Sequence, residues 1–257
     1  MAVNPAFLGH GIWLELAPIN GLKRYAKFKP LPPNPPIAKL VENFIAAITA
    51  MKMSSVWLEL FTRSGTIDRD ATKGTRELVD GLKAANIHAI PWGYCFGKNS
   101  ENADPGKNDL ELAKKLCDKY KLDTFVADIE PGNTIGKVTD DWKPDALKNL
   151  LTGLNAHFGK ENIGISSFAN LNKQPQARKL LTPVAPLVSF CAPQIYWNKR
   201  PPVDWARKSL QSWRDAGVTV ELVATVQSYW EIAEGTDTRE QMTKKVGTFV
   251  SDFPDAE

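Results

Sequence analysis

Cysteine, histidine and long apolar runs are scarce in this chain, and each scarcity removes a class of function. Three cysteines, Cys95, Cys117 and Cys191, form an odd set without C-x-x-C spacing. That excludes a zinc ribbon and a redox pair, leaving reduced thiols that behave as small buried hydrophobes. His10, His88 and His157 show no metal-ligand spacing with the acids Asp128 and Glu130, so no metal is expected. No apolar run approaches the roughly 18 residues of a membrane helix, so no membrane partner is expected. The opening Met1-Ala-Val-Asn-Pro5 lacks the basic and then apolar stretch of an export signal. The expectation is a soluble chain, cytoplasmic as synthesised, or one delivered outside by a route that needs no such signal. Neither G-x-G-x-x-G nor G-x-x-x-x-G-K-[ST] occurs, which removes the support for a dinucleotide or P-loop fold, and no cofactor is expected. A formal charge of +3, with 24% charged and 43% hydrophobic residues, is ordinary for a globular protein and gives no footing for nucleic acid.

What is present is a strict alternation. Short apolar runs at 11–16, 55–61, 87–94, 124–130, 163–168, 187–197 and 218–229 read as strands. Amphipathic stretches at 37–52, 75–85, 110–120, 145–158, 174–181, 203–216 and 239–253 read as helices. This succession predicts an α/β chain folded as a (β/α) TIM-type barrel, a single domain over 1–257, with seven strand and helix units and the eighth strand missing or irregular. Either the chain is truncated before that strand, or another segment, such as residues 6–8, covers the gap. The proline-dense Lys29–Pro36 stretch and the polar loops at 62–74, 97–108 and 132–143 all follow strands, as the rim of a ligand site would.

The strand ends carry chemistry in pairs spaced i, i+2: Trp13 and Glu15, Trp57 and Glu59, Trp92 and Tyr94, Asp128 and Glu130, Gln194 and Tyr196, Gln227 and Tyr229. Each pair shares one face of its strand. If that face is inward, six strands bring aromatic, carboxylate and amide groups to one cleft, a composition suited to sugar: rings stack on pyranose C–H faces and polar groups bind the hydroxyls. The alternative turns Leu14, Leu16, Leu58 and Leu60 inward and leaves Glu15 and Glu59 against the helices or in solvent.

The segment Asp123-Thr-Phe-Val-Ala-Asp-Ile-Glu130 ends in Pro131-Gly132, which sets Asp128 and Glu130 at the C-terminal mouth of a buried strand. Two acids on one strand face lie about 6 to 7 Å apart. Their mutual repulsion in a partly apolar surround would raise one pKa, suiting Glu130 as a general acid while Asp128 stays ionised. A solvated pair or a metal site is the plainer alternative.

Asp123-x-x-Val126-x-Asp128-x-Glu130 resembles the D-x-x-D-x-D-x-E strand of the family 18 chitinases, with Val126 in place of the second Asp. Its D-x-E tail is similar to that of the family 25 muramidases, the peptidoglycan lysozymes. Pro193-Gln-Ile-Tyr-Trp197 resembles the sixth-strand segment whose Tyr supports the acetamido intermediate in family 18 enzymes. The resemblance implies a TIM-barrel glycosidase with Glu130 as acid, Asp128 as its partner and Tyr196 assisting. Glu15, Glu59, Trp92, Tyr94, Gln194, Trp197, Gln227 and Tyr229 are the expected substrate-binding residues. The expected activity is hydrolysis of a β-linked, N-acetylated polysaccharide, peptidoglycan ahead of chitin. Without a visible export signal, a phage lysis or injection particle, or another partner protein, would deliver it. A non-catalytic carbohydrate-binding or structural barrel stands as the alternative, because Val126 removes one acid of the family 18 relay.

Overall fold

The computed structural model describes residues 3–14, 22, 35–62, 65–66, 74–103, 108–135, 138–196 and 200–226. Strands β1 (Gly11–Leu14), β2 (Ser55–Thr62), β3 (His88–Cys95), β4 (Phe125–Ile129), β5 (Ile163–Phe168) and β6 (Phe190–Ile195) pair in sequence order, each parallel to the next. The seventh strand, β7, consists of two short pieces, Glu221–Leu222 and Thr225–Val226, both parallel to β6. Helices α1 (Ile37–Ala50), α2 (Thr75–Ala84), α3 (Asp109–Tyr120), α4 (Pro144–Phe158), α5 (Pro175–Leu181) and α6 (Pro202–Asp215) alternate with the strands. The result is the (β/α) TIM-type architecture: a parallel sheet curled into a partial barrel. Among the described residues no strand joins β7 to β1. The expected helix at 239–253 and the Lys29–Asn34 part of the proline-dense stretch lie outside the described residues.

Local chemistry sets the helix ends. The Asn108 side chain caps α3 by accepting from the Leu110 and Glu111 amides, and α3 closes on Lys121 in the left-handed region at φ 55°. Pro144 and Pro202 open α4 and α6 at positions where a missing N–H costs nothing.

Outward-facing strand residues pack on helices. Leu14, Val56 and Leu58 meet Leu40, Phe44, Ile48, Leu78 and Leu82. Phe125, Ala127, Ile129, Ile163 and Ile165 meet Leu116, Leu147, Leu151, Leu154 and Leu181. This burial settles the strand orientation, since Leu14 and Leu58 face the helices while Trp13 and Trp57 face the barrel interior. All three cysteines are buried and free, and burial lifts the Cys191 thiol to about 12.

The barrel interior holds Trp57, Ile90, Trp92, Val126, Phe190 and Ala192 around Phe7, with Trp13 packed against them. Residues 6–8 do not replace a strand. Pro5–Phe7 is a single 3-10 turn capped by Asn4, whose amide group also binds Asn162 Oδ1 at 2.7 Å, just before β5. The segment therefore crosses the N-terminal end of the barrel and inserts Phe7 as a plug, its ring 4.5 Å from Phe190 and 6.2 Å from Trp57. Gly164 is needed beside it, because a Cβ there would lie 2.2 Å from the Phe190 ring.

The strand registers order the interior side chains into layers. Glu59 pairs with Trp92 and Trp92 with Val126, so Asp128 stands two residues further along β4 than Glu59 does on β2. Asp128 pairs with Ser166 and Ser166 with Ala192, so Gln194 stands two further again on β6. This stagger of two residues for every second strand is the shear of a (β/α) barrel, in which alternate strands supply one layer. Trp57, Val126 and Ala192 thus form an apolar layer, and Glu59, Asp128 and Gln194 form the next even-strand layer toward the C-terminal mouth. Just past Glu59 the register shifts, and both Leu60 and Phe61 join the outer core. The bulge ends the inward series of β2 at Glu59.

Candidate functional site

The two acids of the polar layer are buried, and Gln194 is half-buried. Glu59 is 5% exposed and Asp128 6%. Gln194 Nε2 donates to Asp128 Oδ1 at 2.7 Å and to Ser166 Oγ at 3.1 Å, tying β6 to β4 and β5. Glu130 stands one residue beyond β4 instead of on it, and is partly open. Residues 130–133 form a turn closed by the Asn133 N–H on the Glu130 carbonyl at 3.0 Å, with Pro131 at its second position and Gly132 at φ 82° in its third. That is the type II geometry a Pro-Gly pair favours. The turn folds the Asn133 side chain back, so its amide donates to Glu130 Oε2. The Tyr94 hydroxyl donates to the same oxygen at 3.4 Å.

Burial sets the electrostatics. It lifts the Asp128 carboxyl well above the usual range, the charges of Glu130 and Glu59 lift it further, and hydrogen bonds from Ser166 and Gln194 pull it partly back. Burial also raises Glu130, against hydrogen bonds from Asn133, Gln194 and Tyr94. The expected division into a neutral Glu130 and an ionised Asp128 therefore needs correction. Both carboxyls favour the proton, the deeper Asp128 included, and the two titrate as a pair. Burial and the charges of Glu130, Asp140 and Asp128 likewise raise the Tyr94 phenol, which stays protonated as a donor.

Two further acids brace the rim. Asp140 accepts the Gly97 N–H at 3.0 Å and the Trp142 indole N–H at 2.9 Å, and its own backbone exchanges hydrogen bonds with Gly132 and Asn133. It thereby clasps the Glu130–Asn133 turn to the segment after β3. Asp109, the first residue of α3, accepts the Phe96 N–H at 2.7 Å and the Ser100 hydroxyl at 2.9 Å. Burial pushes Asp140 to about 6 and Asp109 to about 7.

Of the expected residues, Asp128, Glu130, Tyr94, Gln194 and Glu59 come together at this end of the barrel. Trp92 does not offer a free face. It is 5% exposed, its indole N–H donates to the Trp57 carbonyl at 3.2 Å, and its ring lies 5.0 Å from Trp13, so it belongs to the floor beneath the acids. Tyr196 follows β6 directly, half-buried, its N–H on the Gln194 carbonyl at 2.9 Å. Glu15, Trp197, Gln227 and Tyr229 lie outside the described residues. Ser166, Asn133 and Asp140 were not singled out from sequence. Ser166 was signalled by the Gly164/Ser166 alternation against Ile163 and Ile165, and Asn133 by its place three residues after Glu130 across Pro-Gly; Asp140 carried no local signal. Among the described residues no three His, Cys, Asp or Glu side chains cluster as metal ligands, and no helix is long and apolar enough to cross a membrane.

No family model matches the chain, and no curated protein matches it. Solved structures do share its fold. A GH18 chitinase from Pseudoalteromonas aurantia superposes with a TM-score of 0.55 at 13% identity, covering 94% of this chain and 86% of that one. A Group IV chitinase from Ostrinia furnacalis gives 0.52 at 11% identity, covering 70% of this chain and 60% of that one. A chitinase from Rhizomucor miehei gives 0.50 at 15% identity, with 68% and 62% covered. The matched part of this chain thus spans about three-fifths of the latter two. The likeness to family 18 chitinases is one of fold, at low identity; a likeness to family 25 muramidases is not shown.

Proposed function

We propose that this chain is a retaining glycoside hydrolase acting on a β-linked, N-acetylated polysaccharide, with peptidoglycan preferred over chitin. Glu130 protonates the leaving oxygen, Asp128 orients the substrate's own acetamido nucleophile, and Tyr196 assists from the end of β6. One observation carries the reading: two carboxyls, both raised by burial, meet at one barrel mouth under the Gln194 amide. An acid so raised keeps its proton nearer neutrality, where it can donate. Tyr94, Glu59 and Gln194 bind the sugar, with Trp92 supporting them from below, and Glu15, Trp197, Gln227 and Tyr229 are the further substrate-binding residues of this reading. A phage particle or another partner protein delivers the chain to the cell wall.

A second reading, a carbohydrate-binding barrel without turnover, draws support from Val126, an apolar residue where the chitinase strand has an acid. Purified wild type and Glu130→Gln, offered peptidoglycan and chitin oligosaccharides, separate the two. Turnover by wild type that is lost in the variant supports the hydrolase. Binding without turnover in both proteins rules it out in favour of the second reading.

A further inference from the structure

A cleft of about 530 Å³ opens between the segment after β5 and one face of α6, from Arg200 just before the helix to Asp215 at its end. Its size falls in the range of about 300 to 1,000 Å³ typical of small-molecule sites. One part of it shares the barrel end of the acids: Asn170 lies two residues past Phe168, and Phe168 pairs in register with Gln194, whose amide holds Asp128. Two bonds fix that loop to α6, from the Trp213 indole N–H to the Phe168 carbonyl at 3.1 Å and from the Leu171 N–H to Ser212 Oγ at 3.1 Å.

The lining has two properties that a plain solvated surface does not need. First, Lys173, Arg200 and Lys208 converge on it, and none of the three belongs to a salt bridge among the described residues. Arg200 lies over the Trp205 ring at 4.3 Å and Lys173 at 5.6 Å, so two of these cations are already ordered by the indole. Of the two acids in the lining, Asp215 already accepts the Gln211 amide at 2.8 Å, and Asp204 is exposed. Second, Asn170 Oδ1 and the Trp205 indole N–H are buried without hydrogen-bond partners. One is an acceptor and the other a donor, and hydroxyl groups supply both complements.

We infer that this cleft is a subsite for a carboxylate-bearing, hydroxylated unit of the glycan chain whose neighbouring linkage lies at Asp128 and Glu130. The inference rests on the proposed hydrolase reading and narrows its substrate: an N-acetylated glycan with acidic substituents matches the cations, whereas neutral chitin supplies only the hydroxyls. Preordered cations reduce the entropy lost when the carboxylate docks.

The test compares binding of a neutral chitin oligosaccharide with that of its carboxymethylated form, using wild type and the Arg200→Glu/Lys208→Glu double variant. Both substituted residues are exposed, so the fold is retained. Wild type is expected to bind the carboxymethylated form about tenfold more tightly, equivalent to about 1.4 kcal/mol, with the advantage shrinking at high salt and vanishing in the double variant. Trp205→Phe, which keeps a ring and removes the N–H, weakens both ligands. Equal wild-type affinity for the two forms, or a preference that survives charge reversal, overturns the subsite and leaves the hydrolase reading standing. Failure of wild type to bind or cleave any glycan overturns both.

Discussion

Replacing Gln194 by Leu removes the amide that spans β4, β5 and β6 while keeping a side chain of similar bulk. Its Nε2 lies 2.7 Å from Asp128 Oδ1 and 3.1 Å from Ser166 Oγ, and it also holds Glu130 down. A hydrogen bond to a charged acceptor contributes about 1.5 to 3 kcal/mol, and one pKa unit corresponds to 1.36 kcal/mol. Loss of the donor disfavours the ionised form, so titration of the Asp128–Glu130 pair should move upward by about one to two units. Carboxyl ¹³C NMR titration of labelled protein reads this without requiring turnover, with Asp128→Asn and Glu130→Gln assigning the signals. Glu59→Gln is the control of opposite sign: it removes a charge that raises Asp128, so the pair should titrate lower. If the pair titrates unchanged in Gln194→Leu, or moves upward in Glu59→Gln, the layer Glu59–Asp128–Gln194 is not an electrostatic unit and the reasoning fails.

Two further outcomes follow from the burial of particular groups. Asp109 is raised to about 7 in the fold, above an unfolded value near 3.9, so the native state binds its proton more tightly. Its stabilising contribution is complete below about pH 4 and is lost as pH rises through 7, a loss of at most about 4 kcal/mol; urea unfolding at pH 5 and pH 8 should show the decline in wild type and a smaller one in Asp109→Asn, where the raised Asp128, Glu130 and Asp140 still contribute, and a flat wild-type profile would contradict it. Phe7→Ala empties the plug against Phe190 and Trp57 and should cost about 3 to 5 kcal/mol in chemical denaturation. A loss below about 1 kcal/mol would mean that the barrel end closes without it.

The alternation of apolar runs with amphipathic stretches was enough to place α1 to α6 within two residues of their observed ends, because their caps and apolar stripes are local, whereas the four-residue helix Gly97–Ser100 lies in a segment expected to be a loop. Strand interiors were equally legible. The ends were not: Glu130 sits past β4 because Pro131 and Gly132 turn the chain, and β7 breaks at Val223–Ala224 although its sequence reads as one run. What sequence could not supply was the stagger between strands. The i, i+2 pairs say which residues share a face, and only the register says which of them share a height. That is why Trp92 read as a cleft wall and lies in the floor, and why Ser166, whose strand offered no acid, was passed over. Asp140 was hidden for a different reason, since it acts through a turn and a neighbouring loop that come together only in the folded chain.

The layering also gives Val126 a physical place. It lies in the apolar layer with Trp57 and Ala192, above Phe7 and fully buried. A carboxylate there would face indole and aliphatic carbon on every side and would cost several kcal/mol unless paired. Asp128, one layer higher, instead has partners across the barrel: Gln194 from β6, Ser166 from β5, and the field of Glu59 from β2. In a D-x-x-D-x-D-x-E strand the acids succeed one another along a single chain segment. In this barrel the groups that govern Asp128 come from three other strands at nearly one height. With Val126 in the apolar layer Asp128 is still governed: its proton is controlled across the layer, and Gln194 and Glu59 are the residues on which that control depends.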